Sequence, residues 1–445
     1  MMAEKENPSF VVRPHEDVVR GHGAFARPGG IKAGQVVLSE PPLLLYPQAS
    51  VAHLFCGHCL RYLEQSSPTS CACPSCRQPR QPRQPRQTRF CGEACRAAAA
   101  SDPASHSPMA CALMQVARVE DATDETVSAM LFLSRLCALL LSARAGDAGA
   151  LRRYEAFLSL SDGNRDIILE DREYAGWLEE VCHRFAPCLA EINQINQINQ
   201  IDEINQIDQI DEIDEIDENE HVGEEFVKMA CLKDLVNSYG IRVPAALGAD
   251  CGVLRGTALY EEASRFNHEC LPNVARCDDF DQSTSMKFIA LHDLPEGEEI
   301  TQSYFPLDWG VSDRQTRCRT VYGFTCTCPR CVMDERTVMD SVMDDDGMTD
   351  LDGYIAVFLL KYLCVDAACE GTMVPLRPLM VSEMVSDGDG DYGRNDGRNL
   401  IDGTHACNVC GRVRTEAEFL RGLESGGDGD GGDGGDGGDG GDGGD

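Results

Sequence analysis

Arg265-Phe266-Asn267-His268-Glu269-Cys270-Leu271-Pro272-Asn273 takes its meaning from the residues on either side of it. An Asn-His pair alone carries almost no information. Downstream, Gly297-Glu298-Glu299-Ile300-Thr301-Gln302-Ser303-Tyr304 is followed by Tyr322-Gly323-Phe324 and then by Cys326-x-Cys328-x2-Cys331. Far upstream, Gly21-His22-Gly23-Ala24-Phe25-Ala26 precedes Ile31-Lys32-Ala33-Gly34-Gln35-Val36-Val37. Residues 10–48 carry short apolar runs punctuated by Gly and Pro, which predicts strands and turns, and residues 225–306 return to that pattern. Between them, residues 123–191 have helical periodicity, as in TVSAMLFLSRLCALLLSAR and LRRYEAFLSL, and YIAVFLLKYL predicts a later helix.

The chain holds 23 cysteines, many of them in close pairs. The N-terminus has no apolar signal core, so a reducing compartment is expected, and there such pairs read as zinc ligands rather than disulfides. The first group is Cys56-x2-Cys59, Cys73-x2-Cys76, Cys91-x3-Cys95, His106 and Cys111, which suits two tetrahedral ions, with Cys71 able to replace Cys73. The group Cys326, Cys328 and Cys331 is one ligand short and needs a distant fourth. The last, Cys364-x4-Cys369 with Cys407-x2-Cys410-Gly411, looks like two knuckles of a zinc ribbon. The remaining cysteines read as small buried apolar residues.

The net charge of −35 disfavours DNA and RNA backbones and attracts a Lys-rich protein, or serves solubility alone. No uninterrupted apolar run reaches the ~20 residues of a membrane span, and Arg135 breaks the longest candidate, so a soluble protein of the cytoplasm, the nucleus or both is expected. Three segments repeat every three residues: QPR at 78–87, the Ile-rich run at 192–218 and the Gly-Asp tail. A three-residue period drifts about 60° per repeat around an α-helix, so the run at 192–218 is expected to be a disordered insert, with a partner-binding coil as the alternative.

In this order, with the Cys-rich group behind them, the core motifs resemble the SET domain of lysine methyltransferases. A MYND-like zinc finger within its N-terminal part is the layout of the SET-and-MYND methyltransferase family, and the resemblance covers roughly residues 10–335. It implies an α+β fold: a SET β-fold with an inserted MYND finger and helical insert, a zinc-stabilised post-SET region, and a small C-terminal zinc ribbon like that of plant-type relatives. The expected segments are 10–55 (N-terminal SET), 56–111 (MYND), 112–236 (helical insert), 237–306 (core SET), 307–335 (post-SET), 336–352 (acidic linker), 353–424 (ribbon) and 425–445 (disordered tail).

By the family's pattern, Cys56, Cys59, Cys91 and Cys95 hold one zinc, and Cys73, Cys76, His106 and Cys111 another. The gaps around the QPR insert and on either side of His106 are wider than that pattern. Cys270 becomes the fourth post-SET ligand. The resemblance assigns Gly21, His22, Gly23, Asn237, Asn267, His268 and Phe324 to S-adenosylmethionine, and Tyr304 and Tyr322 to the lysine channel as catalytic residues. Glu269 and Leu271 stand where the family favours Ser and Asp. The implied activity is methyl transfer to lysine of a protein, histone or not, with about four structural zinc ions and no catalytic metal. The other reading is an inactive scaffold whose MYND finger binds proline-containing peptides. Intact channel tyrosines favour the enzyme.

Overall fold

The computed structural model describes residues 9–16, 20–63, 69–76, 87–203, 222–243, 253–278, 284–340, 350–366, 368–376 and 403–425. The QPR repeat at 78–86, the Ile-rich run from 204 to 218, the acidic segment 341–349 and the tail from 426 lie outside them.

Three small sheets form the catalytic-motif half. In the first, Phe10–Pro14, His22–Ala26, Glu299–Gln302 and Asn267–His268 lie side by side in that order. Its outer strand Phe10–Pro14 buries Phe10 and exposes Val11, as a period of two requires. The strand His22–Ala26 is paired on both edges, so Ala24, Phe25 and Ala26 are all buried. The second sheet orders Val274–Asp278, Met286–Ala290 and Val36–Glu40; the third orders Leu44–Pro47, Leu254–Leu259 and Ser238–Arg242. They enclose one core, in which Phe266 meets Phe10 and Phe288 edge to face at centroid distances of 5.2 and 5.1 Å.

Asn267–His268 runs parallel to Glu299–Gln302, with Thr301 opposite Asn267 and Gln302 opposite His268. The chain then turns away through Pro272, and buried Asn273 holds that turn. Its Oδ1 accepts from Thr301 N at 2.8 Å and its Nδ2 donates to Glu299 O at 2.7 Å. The motif around Asn267 and the motif ending at Tyr304 are thereby locked side by side.

Helices cover the other half. Asp124–Arg144, N-capped by Thr123, packs against Pro108–Val116, Ala148–Leu158 and Arg172–Glu203. At 21 residues and a mean hydropathy of 1.8 it is long and apolar enough to cross a membrane, but 83% of that stretch is buried inside the protein. Arg135, the charge that divides the apolar run, sits within this helix as its periodicity predicts, 2% exposed, and donates to Leu45 O and to Gly57 O at 3.0 Å. Cys137, Cys182, Cys188 and Cys231 fill this core as small apolar residues, as expected of cysteines without a metal partner.

One expectation needs correction, and two segment boundaries are refined. The Ile-rich run does not begin as disorder: Arg172–Glu203 carries the helix through its first repeats. Leu178, Val181, Phe185, Cys188, Leu189 and Ile192 recur at helical spacing on the buried face, and Ile195 packs against the same core. The upstream stripe sets the phase, so the first repeats still fall on it before the 60° drift accumulates. Asn193 also exchanges hydrogen bonds with Val222 N and O at 3.2 and 3.1 Å. Second, the helix Glu224–Asn237, which buries Val227, Ala230 and Cys231, fills the end of the helical insert expected over 112–236, and the strand pattern read from residue 225 begins only at Ser238–Arg242. Third, the acidic linker is partly helical, since Pro329–Asp340 runs into it and Asp350–Tyr362 begins inside it.

The C-terminal residues form a three-stranded sheet, Met373–Pro375, His405–Cys407 and Val413–Arg414, flanked by Asp350–Tyr362 and Glu416–Ser425. Phe358, Tyr362 and Val374 pack with Ile289, Leu291 and Leu307, and Tyr362 Oη donates to Leu291 O at 2.9 Å.

Candidate active site and metal centres

A cavity of about 820 Å³ opens between the β-fold, the C-terminal ends of the helices Ala148–Leu158 and Glu224–Asn237, the Cys-rich segment after Tyr322 and the C-terminal sheet. Of the nine residues assigned to cofactor or channel, all but Gly23 line it. Gly21 has φ +63°, which favours glycine. At Gly23 a Cβ would fall 2.7 Å from Glu299 Oε1 and 3.3 Å from Asn267 Nδ2. Asn267 Nδ2 donates to His22 O at 3.0 Å and to Glu299 Oε1 at 2.8 Å, so the Gly-x-Gly turn and the Asn-His strand form one surface.

His268 is buried, and burial lowers its pKa, keeping the imidazole neutral. Its Nδ1 accepts from Tyr304 N at 3.2 Å. The rings of Tyr304 and Tyr322 lie 4.6 Å apart, and Phe324 is 6.1 Å from His268. Burial raises the pKa of both phenols, so each stays protonated at neutral pH. Tyr304 Oη donates to Phe266 O at 3.2 Å. Asn237 gives its amide hydrogens to Ser161 O at 2.6 Å and Lys233 O at 2.8 Å, which leaves Oδ1 as its available group.

Three residues of the site received no role from sequence. Arg20 pairs with Glu299 at 3.0 Å and donates to His268 O at 3.1 Å. Tyr239 lines the cavity and accepts at Oη from Gln302 Nε2 at 2.6 Å. Gln302 also donates to Ala263 O and Phe266 O, both at 3.1 Å, tying Tyr239 to the carbonyl that receives Tyr304. A cation preceding Gly-x-Gly and an aromatic following Asn237-Ser238 were the available signals.

The metal-ligand sets assemble in four groups: Cys56, Cys59, Cys91 and Cys95; Cys73, Cys76, His106 and Cys111; Cys270, Cys326, Cys328 and Cys331; Cys364, Cys369, Cys407 and Cys410. Within each, the ligand atoms all lie within 4.8 Å of one another. Zn–S bonds of about 2.3 Å in a tetrahedron imply S···S edges near 3.8 Å, against about 2.05 Å for a disulfide. The separations include 3.8 Å for Cys59–Cys91, 3.6 Å for Cys76–Cys111, 3.8 Å for Cys270–Cys326 and 3.7 Å for Cys369–Cys407, so the donor sets fit zinc. His106 Nε2 stands 3.2 Å from Cys76 Sγ, and Cys73 rather than Cys71 completes that group. Around Cys331, the buried Arg314 donates to its Sγ at 3.7 Å and pairs with Asp334.

Comparison with known proteins agrees with this architecture. The SET-domain family model matches residues 21–305. A protein of Arabidopsis thaliana named histone-lysine N-methyltransferase ASHR2 is 26% identical over 92% of this chain and 96% of its own length. A SET and MYND domain-containing protein of Dictyostelium discoideum is 32% identical over 28% of each chain, and the N-lysine methyltransferase SMYD2 of Gallus gallus is 35% identical over 18% of each. With the SET model spanning the Gly-x-Gly turn, the Asn-His strand and Tyr304, the chain belongs to the SET-domain family, in its SET-and-MYND lysine methyltransferase branch.

Proposed function

We propose that this protein transfers the methyl group of S-adenosylmethionine to the ε-amine of a lysine in a protein substrate, histone or other. The observation that carries the reading is the cavity in which Gly21, His22, Asn267, His268 and Phe324 meet the paired rings of Tyr304 and Tyr322. The donor set fits the cofactor. The turn at Gly21, where nothing lies within 4 Å of the missing Cβ, leaves open backbone at the cavity, Asn237 Oδ1 is free to accept from an ammonium group, and half-buried Phe324 offers a flat apolar face.

Bound S-adenosylmethionine supplies an already activated sulfonium methyl, so the protein need only deliver a neutral amine. A free lysine has a pKa near 10.4, and the aromatic, half-buried walls made by Tyr304 and Tyr322 disfavour its charged form. The two phenols stay protonated at neutral pH, so neither acts as a phenolate base there. Their oxygens and rings orient the amine and can hold positive charge at its nitrogen. The proton is lost to solvent before transfer, and the products are a methylated lysine and S-adenosylhomocysteine.

The test is incubation of the full chain with S-adenosylmethionine tritiated on its methyl group, with core histones and a cell extract as acceptors. Label recovered as methyl-lysine after hydrolysis supports the reading. Protein that binds cofactor but labels no acceptor contradicts it and favours the scaffold.

A further inference from the structure

The C-terminal four-cysteine module reaches the cavity. Glu370 and Thr372 beside one cysteine pair, and Asn408 and Val409 between Cys407 and Cys410, line it together with the channel residues. Two hydrogen bonds join the knuckles to each other: Thr372 N donates to Asn408 Oδ1 at 2.7 Å, and Asn408 N donates to Thr372 O at 2.9 Å. A third bond fixes them to the β-fold, from Asn408 Nδ2 to Arg276 O at 2.6 Å. Arg276 continues toward the channel. Its guanidinium donates to Gly240 O at 2.8 Å and lies 5.8 Å from the ring of Tyr239, whose hydroxyl is held by Gln302. The anchoring of the module therefore leads, through Arg276 and Tyr239, to the carbonyl of Phe266 that also receives Tyr304 Oη.

We infer that this module is the specificity wall of the substrate groove, and that Glu370 receives a basic side chain flanking the target lysine. The inference rests on the methyltransferase reading above. A peptide that delivers its lysine to Tyr304 and Tyr322 must leave the cavity along some wall, and this one combines an apolar contact at Val409, a hydroxyl at Thr372 and an exposed carboxylate at Glu370. Asp366 pairs with Arg412 at 3.1 Å, and Arg276 is held by Gly240 O, whereas Glu370 makes no ion pair among the described residues. The chain's net charge of −35 adds a long-range attraction for a basic segment.

The test uses full-length protein and fluorescent peptides with a central lysine, flanked by Arg, Ala or Glu at each of three positions on either side. Binding is read by polarisation with S-adenosylhomocysteine present, and turnover is read separately as KM and kcat. Wild type is expected to prefer Arg-flanked peptides. Glu370→Gln is expected to weaken their binding and raise their KM by roughly 3–5-fold, the scale of one exposed ion pair, with kcat and Ala-flanked peptides unchanged. Glu370→Arg is expected to shift the preference to Glu-flanked peptides. Wild type that binds no Arg-flanked peptide, or equal binding of all peptides by the three proteins, overturns the inference. Glu370-dependent binding without methyl transfer to any acceptor overturns the methyltransferase reading and leaves the wall in place.

Discussion

Replacing Tyr304 with Phe removes one oxygen from the site. The hydroxyl donates to Phe266 O at 3.2 Å, and that carbonyl also accepts from Gln302 Nε2 at 3.1 Å. The carbonyl is therefore not orphaned, and the stability loss should stay near the low end of the ~0.5–1.5 kcal/mol of a buried hydrogen bond. The ring contacts at 4.6 Å to Tyr322 and 5.2 Å to His268 survive, as does the backbone bond from Tyr304 N to His268 Nδ1. Cofactor affinity should then change less than about twofold. Turnover should fall much further: misplacing groups at a reacting centre costs about a hundredfold, which is about 2.7 kcal/mol at the barrier. Single-turnover methyl transfer with saturating tritiated cofactor reads the chemical step directly, and denaturant melts read stability. A variant that turns over at the wild-type rate makes Tyr304 a packing residue and refutes its assignment to the channel.

Elemental analysis of purified protein should find about four zinc ions per chain, one for each ligand group, and Cys331→Ser should lose one of them; one ion or fewer in the wild type defeats the metal assignment. Ile192→Ala, at a site 0% exposed on the helix Arg172–Glu203, should cost about 2–5 kcal/mol in a denaturant melt, whereas removing residues 204–218 should leave the midpoint unmoved. Equal effects from both changes would erase the distinction between the packed start of that run and the rest. Asp234 accepts from Tyr46 Oη at 2.7 Å, and burial pushes its pKa from 3.8 to about 7. A carboxylate raised in the folded state contributes stability below its unfolded pKa and loses it as pH rises through the folded one. Asp234→Asn should therefore flatten the stability profile between pH ~4 and ~7, by on the order of 2 kcal/mol once partial exposure is discounted. A profile as steep as the wild type's would show that Asp234 does not titrate in this window.

The cysteine groups were legible because metal ligation leaves tight local spacing: Cys56-x2-Cys59 or Cys407-x2-Cys410 can be read without knowing what lies across from them. The partner of the three-cysteine group was not legible that way, since Cys270 is 56 residues from Cys326, and it came only through resemblance. Strand content around Gly21 and Tyr304 followed from Gly/Pro punctuation, but the parallel pairing of Asn267 with Thr301 depends on Asn273 folding the chain back. The Ile-rich run misled because its period was judged in isolation. Phe185 and Leu189, upstream of it, fix the helical phase that buries Ile192. Tyr239 and Gln302 escaped notice because their meeting spans 63 residues, and Asn408 meets Arg276 across 132. No local pattern encodes such contacts.

Calorimetric titration of the full-length chain with S-adenosylmethionine tests the central claim most directly, since every role given to the cavity begins with the cofactor bound against the surface that the Gly21-His22 turn and Asn267 form together. One site per chain is predicted, with its heat abolished by Asn267→Ala and preserved in Tyr304→Phe. Folded, zinc-loaded wild-type protein that gives no heat with S-adenosylmethionine or S-adenosylhomocysteine, or that binds either as tightly after Asn267→Ala, would contradict the account.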